Sequence, residues 1–184
     1  MVSADSYTVV ESRTAFEHTW VRLVIDTLEH EGRRRPYYYL KSPVDAVATV
    51  ALTSDRHIVL TRQYRHPVRA VIYDLPAGSL APGEDPLLGA QRELEEETGY
   101  RAGRVVLLGR YNQFPGSLKV ATHLFFAADL TLAKPNPDEG EELEVVLLPF
   151  SDVLEGVLRG EFIDGSLQLG VLLAAQKGLA AWSR

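Results

Sequence analysis

The chain of 184 residues contains no cysteine, and this absence removes several kinds of chemistry. Disulfide bonds, thiol nucleophiles and thiolate metal ligands are all excluded. The chain also lacks any run of about 18 apolar residues, the length that a membrane-spanning helix needs. The N-terminal segment has no apolar core of the signal-peptide kind. The sequence therefore predicts a cytoplasmic protein that does not cross a membrane.

The chain also has fewer basic than acidic residues. The chain has 19 Lys and Arg against 25 Asp and Glu, a net charge of −6 at pH 7. Proteins that coat nucleic acid have the opposite balance, so a nucleic acid is not expected as a partner. The composition, 46% hydrophobic and 24% charged, is that of an ordinary globular protein, and the length suits one domain with a modest extension.

Hydrophobic periodicity predicts strands joined by one central helix and closed by further helices, an α+β order. Residues 8–40 are predicted as β, and the apolar residues of 20–28 alternate, with Val21, Leu23 and Ile25 on one face and Arg22 and Asp26 on the other. Ser42-Pro43 suggests a boundary between an N-terminal β extension, 1–43, and a main domain, 44–184. The predicted strands are 20–28, 36–40, 44–52, 57–64, 71–75, 105–111, 122–128 and 143–148, and the predicted helices are 86–98, 151–160 and 167–179.

Three consecutive tyrosines, 37–39, lie in the second of these strands. They fit three interpretations: ordinary cross-strand packing, a wall on which a base stacks, or a subunit interface.

The most informative stretch is 78–100, GSLAPGEDPLLGAQRELEEETGY. Asp85 is a candidate helix N-cap, and Gly99 a candidate stop just past the end. Glu93 lies three residues before Glu96 and four before Glu97, so the three carboxylates share one helix face and repel one another. A hard divalent cation turns such a group into a ligand set, whereas without one it is a solvated face. With no cysteine cluster or spaced histidine pair, zinc is not favoured.

The order Gly78, five residues, Glu84, seven residues, then Arg92-Glu93-Leu94-x-Glu96-Glu97-x-Gly99-Tyr100 resembles the Nudix box, with every fixed position filled. The resemblance implies an α/β/α sandwich with a mixed sheet that hydrolyses a nucleoside diphosphate linked to another moiety, using Mg²⁺ or Mn²⁺. It also implies roles for individual residues. The metal ligands are Glu93, Glu96, Glu97 and the backbone carbonyl of Ala77, an ion pair joins Glu84 to Arg92, and Gly78 and Gly99 are structural.

Residues outside the box resemble the ADP-ribose pyrophosphatase subgroup. Pro115 follows Gly99 by sixteen residues, at the subgroup's offset, and Pro115-Gly116 fits its loop. Arg65 resembles the subgroup's phosphate-contacting arginine. The acidic stretch 137–142 resembles the loop that carries a catalytic glutamate, Glu141 first and Glu139 second. The resemblance further implies a homodimer whose N-terminal strands are exchanged.

One position departs from the subgroup pattern. Val120 stands where an acidic residue is usual, beside Lys119, which places a cation near the phosphates or the terminal ribose. Another nucleoside diphosphate sugar or a CDP-type nucleotide therefore stays open as the substrate. So does a nucleotide-sensing domain that does not cleave, although a sensor has no need to keep Glu93, Glu96 and Glu97 together.

Overall fold

The computed structural model describes residues 6–133 and 142–180. By their contacts these residues form two compact units, one of residues 6–45 and 112–121 and the other of residues 46–111, 122–133 and 142–180. No helix in these residues is long and apolar enough to cross a membrane. In chain order the elements are β1 (Thr8–Glu17), β2 (Arg22–His30), β3 (Arg33–Lys41), β4 (Ala46–Leu52), β5 (His57–Arg65), β6 (Ala70–Asp74), β7 (Ala77–Ser79), α1 (Pro86–Thr98), β8 (Tyr100–Tyr111), β9 (Leu118–Lys119), β10 (Thr122–Leu132), β11 (Leu143–Pro149), α2 (Phe150–Arg159) and α3 (Gly165–Gln176).

The first unit is a four-stranded sheet in the order β1-β2-β3-β9. The β2–β3 hairpin turns at Glu31 and Gly32, both with positive φ (49° and 74°), as a tight hairpin that follows the strand twist requires. Strand β9 comes from the β8–β10 connection and pairs in parallel with the end of β3. The residues between β8 and β10 therefore belong with the N-terminal sheet.

The alternation of apolar residues in β2 does not mark its buried residue. Leu23 and Ile25 are only half-buried, whereas Val24 on the opposite face is the buried residue of the strand. Val24 pairs with Tyr39 of β3, and paired residues of antiparallel strands share a face, so the aromatic ring is placed to cover it.

The second unit is built on a seven-stranded mixed sheet. Its path is β11-β5-β4-β10-β8, with β6 added to β5 and β7 to β4, and β10 runs parallel to β4. Strand β4 is buried along almost its whole length, which is why it reads as a continuous apolar run.

Helices cover both faces of this second sheet. Leu94 of α1 packs with Ala51 and Val59 on one face. On the other face Phe150 of α2 and Leu167 of α3 join the core around Phe126. The predicted α+β class with a mixed sheet between helices is confirmed.

The largest boundary error lies in β8, which begins at Tyr100 and not at residue 105. The early residues Arg101, Gly103 and Arg104 break the apolar alternation, so the sequence shows no strand there. Pairing with β10 extends the strand regardless, with Tyr100 opposite Leu132 at the far end. Tertiary pairing has overridden local preference, as is common in sheets.

Candidate active site

Helix α1 presents the acidic residues, and its limits are set locally. Asp85 caps the start by accepting hydrogen bonds from the backbone N–H groups of Leu87 (2.8 Å) and Leu88 (3.4 Å). Gly99 ends it in the left-handed region, at φ 72°, and its N–H donates to Glu95 O. These caps fix the rotation and length of the helix, and so the face on which Glu93, Glu96 and Glu97 stand.

Arg92 lies among three carboxylates. Its Nε and Nη2 donate to the two oxygens of Glu84, each at 2.9 Å, and Nη1 donates to both Glu93 and Glu96, each at 2.9 Å. Nη2 also donates to the carbonyl of Ser79 (3.1 Å). One guanidinium therefore ties the loop before the helix to the helix itself.

The electrostatics follow from this geometry. The hydrogen bonds from Arg92 hold the pKa of Glu84 below its ordinary value, with help from the Ala81 N–H and against a smaller opposing effect of burial. The pKa of Arg92 is raised, chiefly by Glu84, so its charge is fixed at any working pH. A permanent cation thus offsets part of the repulsion among the acids.

Glu97 and Gly78 join the helix to the segment before it. The buried carboxylate of Glu97 accepts a hydrogen bond from the N–H of Ala77 (3.0 Å). At Gly78 a Cβ atom would overlap the carboxylate of Glu93, so only glycine leaves that carboxylate its place. Glycine is required at position 78 because any larger residue would occupy the space that the Glu93 carboxylate fills.

The donor set suits a hard divalent cation. Glu93, Glu96 and Glu97 offer oxygen ligands, and the missing side chain of Gly78 leaves room at the Glu93 carboxylate. Within residues 6–133 and 142–180, however, no three acidic or histidine side chains form a group that could hold a metal ion as they stand. Glu93 and Glu96 point to Arg92, so binding an ion requires them to exchange this partner.

Arg65, predicted to contact phosphate, is held by an acid that sequence reasoning missed. Its Nε and Nη2 donate to Asp74 Oδ2 at 2.7 and 2.6 Å. The Arg65 side chain is 47% exposed and that of Asp74 only 6%. Asp164, the N-cap of α3, lies near this pair, and burial raises its pKa, with a further increase from the charge of Asp74. The hydrogen bond from Leu167 N–H and the charge of Arg65 lower the pKa of Asp164 and offset part of this increase. The strand pattern contains no signal for the Arg65–Asp74 pair, which depends on the β5–β6 register.

Pro115, Gly116 and Lys119 lie in the first unit, on the segment that carries β9. All three are exposed. The hydroxyl of Tyr37 donates to the carbonyl of Gly116 (2.5 Å), and Leu40 N–H donates to the carbonyl of Ser117 (2.8 Å). The Pro-Gly segment is therefore attached to the N-terminal sheet. Glu139 and Glu141 lie outside the described residues.

Comparisons with known proteins agree with this geometry. The family model described as NUDIX domain matches residues 42–165. An ADP-ribose pyrophosphatase of Bacillus subtilis is 33% identical over 96% of this chain and 100% of its own. A methanol dehydrogenase activator of Bacillus methanolicus is 32% identical over 88% of this chain and 89% of its own. A crystal structure titled ADP compounds hydrolase superposes with a TM-score of 0.86 over 98% of both chains at 23% identity, a likeness of fold.

The chain belongs to the NUDIX family, so the family that residues 78–100 indicated is confirmed. It is a pyrophosphohydrolase of that family, and members of the family generally need divalent metal ions. The family match begins at residue 42, close to the boundary expected at 43.

Proposed function

We propose that the protein hydrolyses the pyrophosphate bond of ADP-ribose to AMP and ribose 5-phosphate. The observation that carries the proposal is the group of carboxylates on α1 around Arg92, completed by the space at Gly78. The choice of ADP-ribose rests on the near full-length similarity to the Bacillus subtilis ADP-ribose pyrophosphatase.

In this proposal Glu93, Glu96 and Glu97, with the carbonyl of Ala77, hold Mg²⁺ or Mn²⁺. Such an ion would supply charge to stabilise the phosphoryl oxygens and would lower the pKa of a bound water. The protein's own part is to present the ligands. Glu97 keeps the segment at Ala77 against α1, while Arg92 limits the repulsion between Glu93 and Glu96.

Outside the helix, the exposed part of Arg65 is available to a phosphate group. Pro115, Gly116 and Lys119 remain predicted substrate contacts, and Glu141 or Glu139 remains the predicted general base. These roles rest on the resemblance to the subgroup.

The proposal also includes the assembly and location of the protein. We expect a homodimer in the cytoplasm, formed through the N-terminal extension 1–43 beside the hydrolase domain 44–184, with neither nucleic acid nor membrane as partner. Support for the interface comes from large apolar side chains exposed in the first unit: Phe16, Trp20, Tyr38, Leu40 and Phe114.

A substrate panel tests the activity. ADP-ribose, GDP-mannose, CDP and dinucleoside polyphosphates are incubated with Mg²⁺, with Mn²⁺ or with a chelator, and the products are identified by chromatography. We expect AMP and ribose 5-phosphate from ADP-ribose only when a metal is present. If another substrate is cleaved faster, that compound replaces ADP-ribose as the proposed substrate. Calorimetric binding of ADP-ribose without any product would favour a nucleotide-sensing domain.

Glu97→Gln is the matched variant for this assay. The amide oxygen can still accept from Ala77 N–H, so the fold is preserved while the charge is lost. Because even residues that only support metal ligands cost roughly 10–100-fold when mutated, we expect kcat to fall by more than about a hundredfold. Glu161→Gln, which removes the acid from the exposed Arg159 pair, is the control and should keep full activity. Full activity in Glu97→Gln would contradict the assignment.

A further inference from the structure

Two buried side-chain oxygens stand out on the β5–β6 hairpin. Thr61 Oγ1 and Asp74 Oδ1 are buried and have no hydrogen-bond partner among the described residues. Thr61 and Asp74 pair directly across the two antiparallel strands, so their side chains point to the same face of the sheet. Two unsatisfied polar atoms on paired residues are unusual, since buried polar groups nearly always find partners.

The other oxygen of Asp74 is fully used. Oδ2 accepts from both Nε and Nη2 of Arg65, and the Arg65 side chain is 47% exposed. Both contacts leave from the same edge of the guanidinium, the one formed by Nε and Nη2. A carboxylate that is 6% exposed therefore fixes the orientation of an arginine that is 47% exposed.

By strand alternation the pair lies on the α1 side of the sheet, although the charges of Asp74 and Arg65 also reach Asp164 at the start of α3. Val59, two residues before Thr61 on β5, packs with Leu94 of α1. Side chains two residues apart on a strand share a face, so Thr61 and Arg65 are on this side too. Asp74, paired with Thr61, is also there. Arg65 is thus anchored on the face of the sheet that carries the acidic helix.

Stability alone does not account for this arrangement. Burying a carboxylate is costly, and an ion pair with a half-exposed arginine returns little of that cost. A buried apolar residue at position 74 would avoid both the desolvation and the orphaned Oδ1. What Asp74 provides that an apolar residue cannot is a fixed direction for the guanidinium, because two N–H groups on one oxygen hold the Nε–Nη2 edge against Asp74 and aim the opposite edge away from it.

We propose that Asp74, supported by Thr61, is a positioning residue that orients Arg65 toward the phosphate groups of the substrate. Thr61 supplies a hydroxyl on the same face as Asp74, and one bridging water would let it donate toward Asp74 Oδ1. The inference rests on the proposed function for the identity of the substrate. It does not depend on the hydrolytic step, because Arg65 binds phosphate whether or not the bond is cleaved.

Kinetics of four single variants and one double variant test the proposal. Asp74→Asn removes the charge and Arg65→Lys removes the planar fork, and each should raise KM for ADP-ribose about tenfold while kcat changes less than about twofold. Because both substitutions act on one interaction, the KM of the double variant should be about the same as that of the single variant with the higher KM. Thr61→Val should raise KM about threefold, and Thr61→Ser, which restores the hydroxyl, should return it to the starting value.

Several results would overturn the inference. KM unchanged in Asp74→Asn, equal effects on KM and kcat, or multiplicative effects in the double variant would each do so. If Asp74→Asn fails to fold, Thr61→Val and Thr61→Ser decide, because a merely structural role would lower Tm in Thr61→Val without raising KM. Glu161→Gln again serves as the control for loss of an arginine partner.

A binding measurement separates this inference from the proposed function. ADP is titrated calorimetrically into the wild-type protein and Asp74→Asn, without metal. Weaker binding in Asp74→Asn by about tenfold supports the positioning role even if ADP-ribose is not hydrolysed. Equal affinity in the two proteins, or no binding to the wild type, overturns the positioning role even if hydrolysis is observed.

Discussion

Arg92 shows how one residue can organise a cluster of acids. Its five donors reach Glu84, Glu93, Glu96 and the Ser79 carbonyl, which a lysine could not do from one position. The guanidinium both holds the loop to the helix and occupies two of the carboxylates proposed as metal ligands. A bound ion would take Glu93 and Glu96, while the contact with Glu84 can persist and keep the loop in place.

The lowered pKa of Glu84 makes its contribution depend on pH. A carboxyl whose pKa is lower in the folded protein stabilises the fold above its unfolded pKa, about 4.3, and loses this effect as pH falls through the folded pKa. Glu84→Gln should therefore lower the free energy of unfolding at pH 7, with the difference from the wild type shrinking below about pH 4. Urea denaturation at both pH values measures this.

Glu161→Gln provides the comparison at an exposed site. The pKa of Glu161 is also lowered by an arginine, Arg159, but both partners are more than half exposed. Added salt should remove the small effect of Glu161→Gln on the free energy of unfolding and leave most of the effect of Glu84→Gln. If the free energies of unfolding of Glu84→Gln and the wild type differ by the same amount at pH 7 and pH 3, the pKa of Glu84 is not linked to stability in this way.

At the scale of elements, α1 depends on its neighbour β7 as much as on its own sequence. The N-cap and the glycine stop define the helix, but the contact of Ala77 N–H with Glu97 and the close approach of Gly78 to Glu93 set where the carboxylates lie. The three residues of β7 are held by pairing with β4. The positions of the Glu93 and Glu97 carboxylates therefore depend on the pairing of β7 with the sheet.

Gly78→Ala separates this geometry from stability. The added Cβ meets only the end of the flexible Glu93 side chain, so that carboxylate must move while the backbone need not. We expect Tm to change little, and Mn²⁺ affinity and kcat each to fall about tenfold or more. Calorimetric titration of Mn²⁺ and steady-state kinetics measure the two effects.

Gly109→Ala is the control for this substitution, because a Cβ at Gly109 in β8 meets no atom within 4 Å. It should leave metal affinity and activity unchanged. If Gly78→Ala keeps wild-type metal affinity, Glu93 is not a ligand in the position proposed for it.

At the scale of the whole molecule, the chain crosses between its two compact units more than once. The first unit takes both the N-terminal strands and the segment from Asn112 to Ala121. Asp45 accepts from Ala121 N–H (3.1 Å), and Tyr37 holds Gly116. The segment with the predicted substrate contacts is therefore supported by the N-terminal sheet, and removing residues 1–43 would take away the Tyr37 contact and the β3 strand that pairs with β9.

The exposed apolar face of the first unit predicts a homodimer. Tyr38 is 59% exposed there, and a glutamate in its place would put a charge into the proposed interface. We expect the wild type to sediment as a dimer and Tyr38→Glu as a folded monomer. Leu158→Glu, at a residue 66% exposed on α2 of the other unit, should remain dimeric. A monomeric wild type, or a dimeric Tyr38→Glu, would contradict this interface.

The sequence by itself determined the features that depend on neighbours along the chain. Capping of α1 by Asp85 and Gly99 and the common face of Glu93, Glu96 and Glu97 involve residues within four positions of one another, so spacing alone predicts them. The spaced motif likewise identified the family. The α+β class followed from periodicity, although β7 and β9, of three and two residues, were too short to show a pattern.

Only the tertiary structure decided which distant residues meet. Asp74 holds Arg65 because β5 and β6 pair in one register, and a shift of one residue would turn Asp74 to the other face. Tyr37 reaches Gly116 across 79 positions of sequence because β9 returns to β3. Val24, and not its alternating neighbours, is buried because Tyr39 faces it. Strand pairing is set by the whole sheet, and local sequence carries no record of it.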